Sequence, residues 1–364
     1  MPITYLNVTQ FRNLSKVSLK PLTNSFNVIY GQNGSGKTSL LESIYYLSTG
    51  KSFRRTQNER VIQHAADKLS IFARIEGLHD ISVGLERTCK GELSLRMQGK
   101  DVQTISEMTA LLPVQLIDSH CHDFIEGSPA IRRKYLDWAN FYSRKDFFLL
   151  WRQYSKVLKQ RNAALRKSCR LAELRIWSQE LAQLGMRYDQ IRQEMMATLI
   201  PYISHYVSAL LPLTGLEISY ARGWPKDASL LESLSEAFER EQALGYTLYG
   251  PHKADLKLLL NQVSLRDILS RGQQKLFVCA MMLARGDLLQ DHVKSPIYLI
   301  DDLPSELDAN NRTKLITLLS KQKAQIFITT TECESWGQVL FNEPMRLFHV
   351  EHSNVQEKEL SSQR

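Results

Sequence analysis

Covalent cross-links have little to draw on in this chain. Its 364 residues include five cysteines, Cys89, Cys121, Cys169, Cys279 and Cys333, odd in number, scattered and without CxxC spacing. That pattern argues against both a disulfide framework and a zinc site. Long apolar runs are missing too. Although 43% of the residues are hydrophobic, no stretch approaches the roughly 20 apolar residues that span a bilayer, so a soluble protein with no membrane partner is expected. The opening MPITYLNVTQFRN has neither a basic flank before an apolar run nor a small-residue cleavage site. No secretory signal is expected there, and a cytoplasmic location is. No internal repeat is visible, which sets solenoid architectures aside.

Positive charge is in excess, but unevenly. The formal net charge is +8, and between Arg144 and Arg175 stand ten basic residues against Asp146 and Glu173. That window carries the whole excess. One localised basic element is therefore expected, suited to a polyanion such as DNA, with Lys156, Lys159, Arg161 and Arg166 as the phosphate contacts. A solvated helix face produces the same charge run.

The opening third alternates short β-rich runs with turns: ITYLNVTQF, FNVIYG, IFARIEG, ISVGLERT and LSLRMQG. After FNVIYG a glycine-rich turn leads into TSLLESIYYLS, whose apolar positions recur at helical spacing. From about 128 to 245 the texture becomes helical. Leu174, Trp177, Leu181, Leu184, Tyr188, Ile191 and Met195 are spaced alternately by three and four, a heptad seam. Trp151, Tyr154, Leu158 and Leu165 precede it, so two helices are expected to pair antiparallel around a polar break near Lys167 and Ser168. An arm and an ordinary helical bundle use the same seam. Beyond 245 β character returns in YTLYG, LKLLL, SPIYLIDD and AQIFITTT, the last two reading as buried parallel strands. The reading is an α/β core of 1–127 plus 246–364 with a helical domain inserted at 128–245. The tail HSNVQEKELSSQR looks disordered.

Gly31, Gln32, Asn33, Gly34, Ser35, Gly36, Lys37 and Thr38 match G-x-x-x-x-G-K-[ST], directly after a strand and opening a helix. Backbone N–H groups of such a loop cradle phosphate oxygens, the lysine reaches the β and γ phosphates of ATP, and the threonine holds Mg2+. The apolar strand Tyr298–Ile300 ends in Asp301 and Asp302. Asp301 is expected to bind the magnesium and Asp302 to position the attacking water.

Leu269–Lys275, LSRGQQK, precede another apolar helix and resemble the signature motif of ABC-type ATPases. Ser305–Asp308, SELD, resemble their D-loop. Gln115 looks like the Q-loop glutamine, implying a catalytic and metal-binding role, and Thr329 or Thr330 stands where a switch histidine is expected. The resemblance implies that ATP is held between two protomers, with Ser270, Gly272 and Gln273 meeting the nucleotide of the partner, so that ATP binding makes a homodimer.

The sequence further resembles the RecF family, related to SMC and Rad50 heads. FRN at Phe11–Asn13, GKSFRR at Gly50–Arg55, EGSPAIRRKYLDW at Glu126–Trp138, LKQRNAALR at Leu158–Arg166 and GPHKAD at Gly250–Asp255 carry that likeness. It implies an ABC-type P-loop ATPase head with an inserted coiled-coil-like arm and slow, DNA-stimulated hydrolysis. It also implies binding to duplex DNA and to single-strand/duplex junctions and, with RecO and RecR, loading of RecA at gaps. Arg12 resembles a nucleotide-contacting arginine, although a salt bridge on the sheet accounts for it equally. His120, Cys121 and His122 depart from the family pattern; three neighbours in sequence rarely supply three tetrahedral ligands. An ATPase subunit of a transporter and a P-loop kinase share parts of these motifs.

Overall fold

The computed structural model describes residues 2–54, 61–77, 80–167, 171–292, 294–302, 307–331, 340, 342–351 and 353–358. Ser305 and Glu306 of the D-loop-like stretch, Arg55, Cys169 and Cys333 lie outside them. The chain forms two compact units, Met1–Cys121 with Cys279–Arg364, and His122–Val278. Among the described residues no helix is long and apolar enough to cross a membrane.

The first unit holds two six-stranded sheets. One is antiparallel: β1 (Ile3–Phe11), β2 (Leu14–Leu19), β4 (Lys68–Ile75), β5 (Ile81–Thr88), β6 (Leu93–Met97) and β7 (Lys100–Asp101), in the order β2-β1-β4-β5-β6-β7. The other comprises β3 (Phe26–Tyr30), β8 (Val114–Ile117), β12 (Ile297–Asp301), β13 (Gln325–Thr330), β14 (Met345–Glu351) and β15 (Asn354–Lys358), in the order β15-β14-β3-β13-β12-β8. All its pairings are parallel except β14 with β15. The runs FNVIY, IYLID and QIFITT are apolar almost throughout, as strands covered on both faces must be. Helix α1 (Lys37–Thr49) follows β3 and buries Leu40, Leu41, Ile44 and Leu47 in one core with residues of both sheets, among them Val8, Ile71, Leu299 and Phe327.

Two expectations about this unit need correction. The tail is ordered as far as Lys358, because β15 pairs with β14 from Leu347↔Lys358 to Glu351↔Asn354 and rests Val355 on the core. Backbone pairing at a sheet edge tolerates the polar side chains that made the segment look loose. Gln115 lies inside β8 opposite Tyr298, two residues short of the last paired position, Ile117 with Ile300.

The second unit is mainly helical: α4 (Pro129–Ser143), α5 (Phe147–Arg166), α6 (Leu171–Leu210), α7 (Leu230–Glu236) and α8 (Phe238–Leu244), after the short α2 (Ile105–Leu111) of the first unit and α3 (Asp123–Glu126). A three-stranded sheet joins them, β9 (Leu216–Ala221), β10 (Asp255–Leu260) and β11 (Val263–Ser264). Helix α6 buries the expected seam, Leu174, Leu181, Tyr188, Ile191 and Met195. It pairs antiparallel with α5, since Phe147 meets Tyr188 while Arg161 meets Ser178.

On α5 the seam differs from the expected one. Phe147, Leu150, Tyr154, Val157, Arg161 and Leu165 are buried, while Trp151 is 40% exposed. Tyr154 and Leu165 are shared with the expected seam, but Leu150 and Val157 replace their neighbours Trp151 and Leu158, and the stripe includes an arginine that a search for apolar residues passes over. YTLYG is not a strand either. Two of its backbone N–H groups go to side chains, Thr247 to Asn162 Oδ1 (2.8 Å) and Leu248 to Glu241 Oε1 (2.7 Å), and Gly250 N–H goes to Gly223 O (3.2 Å) in a turn.

Two of the stretches that carry the family resemblance, EGSPAIRRKYLDW and GPHKAD, meet in this unit. Arg132 forks onto Asp255 (2.7 and 3.0 Å), Arg133 donates to Ala254 O (2.8 Å) and Arg192 donates to Pro251 O (2.6 Å). Arg133 and Arg192 satisfy backbone carbonyls of Ala254 and Pro251, which lie before β10 begins, and Arg132 pairs with the carboxylate of its first residue.

Candidate functional site

Parallel strands carry their functional residues at the carboxyl ends, and here β3, β12 and β13 end side by side. β3 runs into the loop Gly31–Gly36, which α1 follows. Gly31 has φ 152°, and a Cβ there would lie 2.2 Å from Val350 O; Gly36 has φ 118°, and a Cβ would meet Leu14 and Asn13. Only glycine fits at either place, and the turn that results aims backbone N–H groups outward at the positive end of α1.

Lys37 folds back on this loop. Its Nζ donates to Gly31 O (2.7 Å) and Gln32 O (2.9 Å). Burial lowers its pKa below the usual lysine value, opposed in part by the charges of Asp302 and Asp301. Thr38 Oγ1 donates to Asp301 Oδ1 at 2.9 Å, and Thr329 Oγ1 donates to the same oxygen at 2.6 Å. Asp302 N–H in turn donates to Thr329 Oγ1 (3.0 Å), and the residue adopts φ 49°. The structure thus joins Thr38, Asp301, Thr329 and Asp302 in one hydrogen-bonded row beside Lys37. Ser35 Oγ is buried with no hydrogen-bond partner.

These groups border a pocket of about 810 Å³ lined by Asn33, Gly34, Gly36, Lys37, Thr38, Asp302 and Thr329, and also by Arg12, Asn13, Arg54 and His64. That volume lies within the usual range for small-molecule sites. The two arginines are held by Glu42, a fully buried carboxylate on α1. It accepts from Arg12 Nη2 (2.8 Å) and Ser52 Oγ (2.5 Å), with Arg54 Nε at 3.5 Å. Arg12 thus forms a salt bridge, with a carboxylate of α1 and not across the sheet, and also lines the pocket. Glu42 itself escaped the sequence reading. Its one signal is an acid among Leu40, Leu41 and Ile44, on the face of the helix that turns inward.

Gln115 is not part of this constellation. Its side chain is fully buried, and Oε1 accepts from Arg285 Nε (3.0 Å) and Nη2 (2.8 Å). Ile117 is aligned with Ile300, so the residue level with Asp301 is Asp118, three residues beyond Gln115. At ~3.3 Å per residue the glutamine sits about 10 Å down the strand. The metal-binding and catalytic roles expected of it are withdrawn.

The remaining expected residues belong to the second unit. Ser270 lies between the short α9 (Leu265–Ile268) and α10 (Arg271–His292) and forms a reciprocal capping pair with Gln273: Gln273 N–H donates to Ser270 Oγ (3.4 Å) and Ser270 N–H to Gln273 Oε1 (3.0 Å). Both are exposed. Lys156, Lys159 and Arg166 are exposed on α5. Arg161 is not: it is fully buried, donates to Ser178 Oγ (3.0 Å) and Thr247 Oγ1 (2.8 Å), and is ion-paired with Glu241. It supports the helix hairpin and is removed from the set of DNA contacts.

A Walker-type loop after the central strand of a parallel sheet, paired carboxylates on the strand two places away, and a capped LSRGQQ helix define an ABC-type ATP-binding head. The family model of the RecF/RecN/SMC N terminal domain matches residues 2–356. Within that class the chain belongs to the RecF family. It is 39% identical, over 98% of its length and 99% of the relative's, to the DNA replication and repair protein RecF of Shewanella frigidimarina (strain NCIMB 400). RecF of Shewanella piezotolerans (strain WP3 / JCM 13877) is 38% identical with the same coverage. Among solved structures, the RecF–ATP form of the recombination mediator protein RecF in the RecFOR pathway is similar at a TM-score of 0.86 and 25% identity, covering 98% of this chain and 97% of that one. An Smc head bound to a ScpA domain shares the fold at 0.62 and 16% identity, covering 100% of this chain and 98% of that one.

Proposed function

We propose that this chain is an ATP-controlled DNA-binding protein of recombinational repair and replication that closes as a homodimer on ATP. The observation that carries the reading is the row Thr38–Asp301–Thr329–Asp302 beside Lys37. Its donors and acceptors suit a nucleoside triphosphate. The loop N–H groups and Lys37 meet phosphate oxygens, and the orphaned Ser35 hydroxyl gains a partner there. Arg12 and Arg54 line the same pocket. Thr38 and Asp301 present hard oxygen atoms of the kind Mg2+ takes, and they would hold it. When bound, the ion offsets phosphate charge. Asp302 is assigned the positioning of the attacking water. It is one methylene shorter than a glutamate, which is consistent with slow turnover.

The signature residues extend the reading to a dimer. Ser270 and Gln273 are exposed and cap the helix start, Gly272 between them is half-buried, and nothing within 4 Å of a Cβ on Gly272 demands a glycine there. A γ-phosphate held by a second copy accounts for that glycine. Lys156, Lys159 and Arg166 are assigned to DNA phosphates. The names of the relatives, DNA replication and repair protein RecF and the RecFOR pathway, support DNA as the target and RecO and RecR as partners; duplex and junction DNA as the preferred structure, and RecA as the protein loaded, are what the motif resemblance adds to the reading.

The test is the ATP hydrolysis rate with and without a gapped duplex. Slow turnover stimulated by DNA, and lost in Lys37→Arg while some nucleotide binding survives, is the expected result. Turnover indifferent to DNA removes DNA from the cycle.

A further inference from the structure

Helix α5 carries more than charge. From Phe147 to Arg166 it has no acidic residue. Phe148, Arg152, Lys159 and Arg166 are separated by four, seven and seven residues, so they share one face, and Lys156 lies beside them. At the amino-terminal end of this face the ring of Trp151 lies nearly parallel to that of Phe148, at 14° with centroids 6.0 Å apart, and stays 40% exposed. Phe148 is fixed in turn: Phe141 meets it edge-on at 5.6 Å and the Arg152 guanidinium lies 5.8 Å from its centroid. Leu149, 58% exposed, flanks the pair.

We propose that Trp151, backed by Phe148, is a stacking platform for an unpaired base of single-stranded DNA whose phosphates follow the cations of the same helix. This rests on the DNA-binding reading of α5 and deepens it by naming the residue that would meet the unpaired bases. A base needs one ring face, and every base has one, so an exposed ring already held in place binds it without ordering new side chains. A protein partner fits less well. A stable interface takes about 800 Å² from each side and is depleted in lysine, whereas the exposed apolar area here is one indole and one leucine amid cations. From Phe148 to Arg166 the helix runs about 27 Å at 1.5 Å per residue.

Fluorescence anisotropy with ATP present and salt fixed tests this on three probes: oligothymidylate, a blunt duplex, and the same duplex with a single-stranded tail. Trp151→Ala is expected to weaken the first and third by about 5- to 150-fold, the loss of one base–aromatic stack. The blunt duplex should change by less than about twofold, and Trp151→Phe should recover most of the loss. The pair Lys156→Glu with Lys159→Glu should weaken all three probes. Unchanged single-strand affinity in Trp151→Ala, with all probes weakened by the lysine pair, overturns the platform and leaves the basic face standing. Equal loss on all three probes in Trp151→Ala also overturns it. If the lysine pair changes nothing, the DNA-binding reading of α5 falls, and the platform falls with it.

Discussion

Arg161 and Glu241 meet at 2.7 Å with both side chains wholly buried. Removing one partner strands the other charge without water, which typically costs about 3–5 kcal/mol. Arg161→Ala is therefore expected to lose stability on that scale in denaturant titrations. Under conditions where it is folded it should keep its DNA affinity. Lys156→Glu with Lys159→Glu is expected to do the opposite, with stability within about 0.5 kcal/mol and a salt dependence of DNA binding shallower by about one unit for each lysine lost. Normal stability with lost DNA binding in Arg161→Ala contradicts the placement of this arginine.

Gln115 gives a second separation of roles. Gln115→Leu takes away the oxygen to which Arg285 donates twice and is expected to lower stability by about 1–3 kcal/mol. The Mg2+ concentration for half-maximal ATPase activity should stay where it was. A tenfold rise in that concentration at unchanged melting temperature restores a metal role for the glutamine.

The exposed start of α10 separates folding from assembly. A Cβ at Gly272 meets nothing within 4 Å, so Gly272→Ala should melt as the unmodified protein does. Ser270→Arg forfeits a cap of about 1 kcal/mol, spares ATP binding and is expected to abolish the ATP-dependent dimer in sedimentation velocity. An unchanged monomer–dimer equilibrium in Ser270→Arg refutes the two-copy arrangement.

His252 supplies a pH dependence with a definite sign. Tyr154 OH donates to its Nδ1 at 2.7 Å, Nε2 faces Thr247 O at 3.1 Å, and burial pushes its pKa down from 6.5 to about 4. Between those values the unfolded chain holds a proton that the folded one refuses. The contribution is complete above about pH 6.5 and is lost as pH falls towards 4, by about 3 kcal/mol at most. In His252→Gln the stability measured from pH 7 to 4.5 should fall less steeply. An unaltered slope assigns the effect to other groups.

The phosphate loop, the paired aspartates and the strands around them are legible because each is local: a motif fixes the loop, and unbroken apolar runs mark strands buried on both faces. Leu14–Leu19 and Asn354–Lys358 escaped because their strands depend on a neighbour's backbone more than on their own side chains. Glu42 escaped because its partners, Arg12 and Arg54, are 30 residues before it and 12 after.

Sequence by itself therefore determined the chemistry on offer, a triphosphate loop at Gly31–Thr38, carboxylates at Asp301 and Asp302, and a helix rich in cations. Tertiary structure decided which of those groups can act. Helical phase turned Arg161 inward and left Lys156, Lys159 and Trp151 outside, and the register of β8 on β12 kept Gln115 down the strand from the site. Phase and register are set by packing against a partner element, and one residue's shift exchanges the buried face for the exposed one.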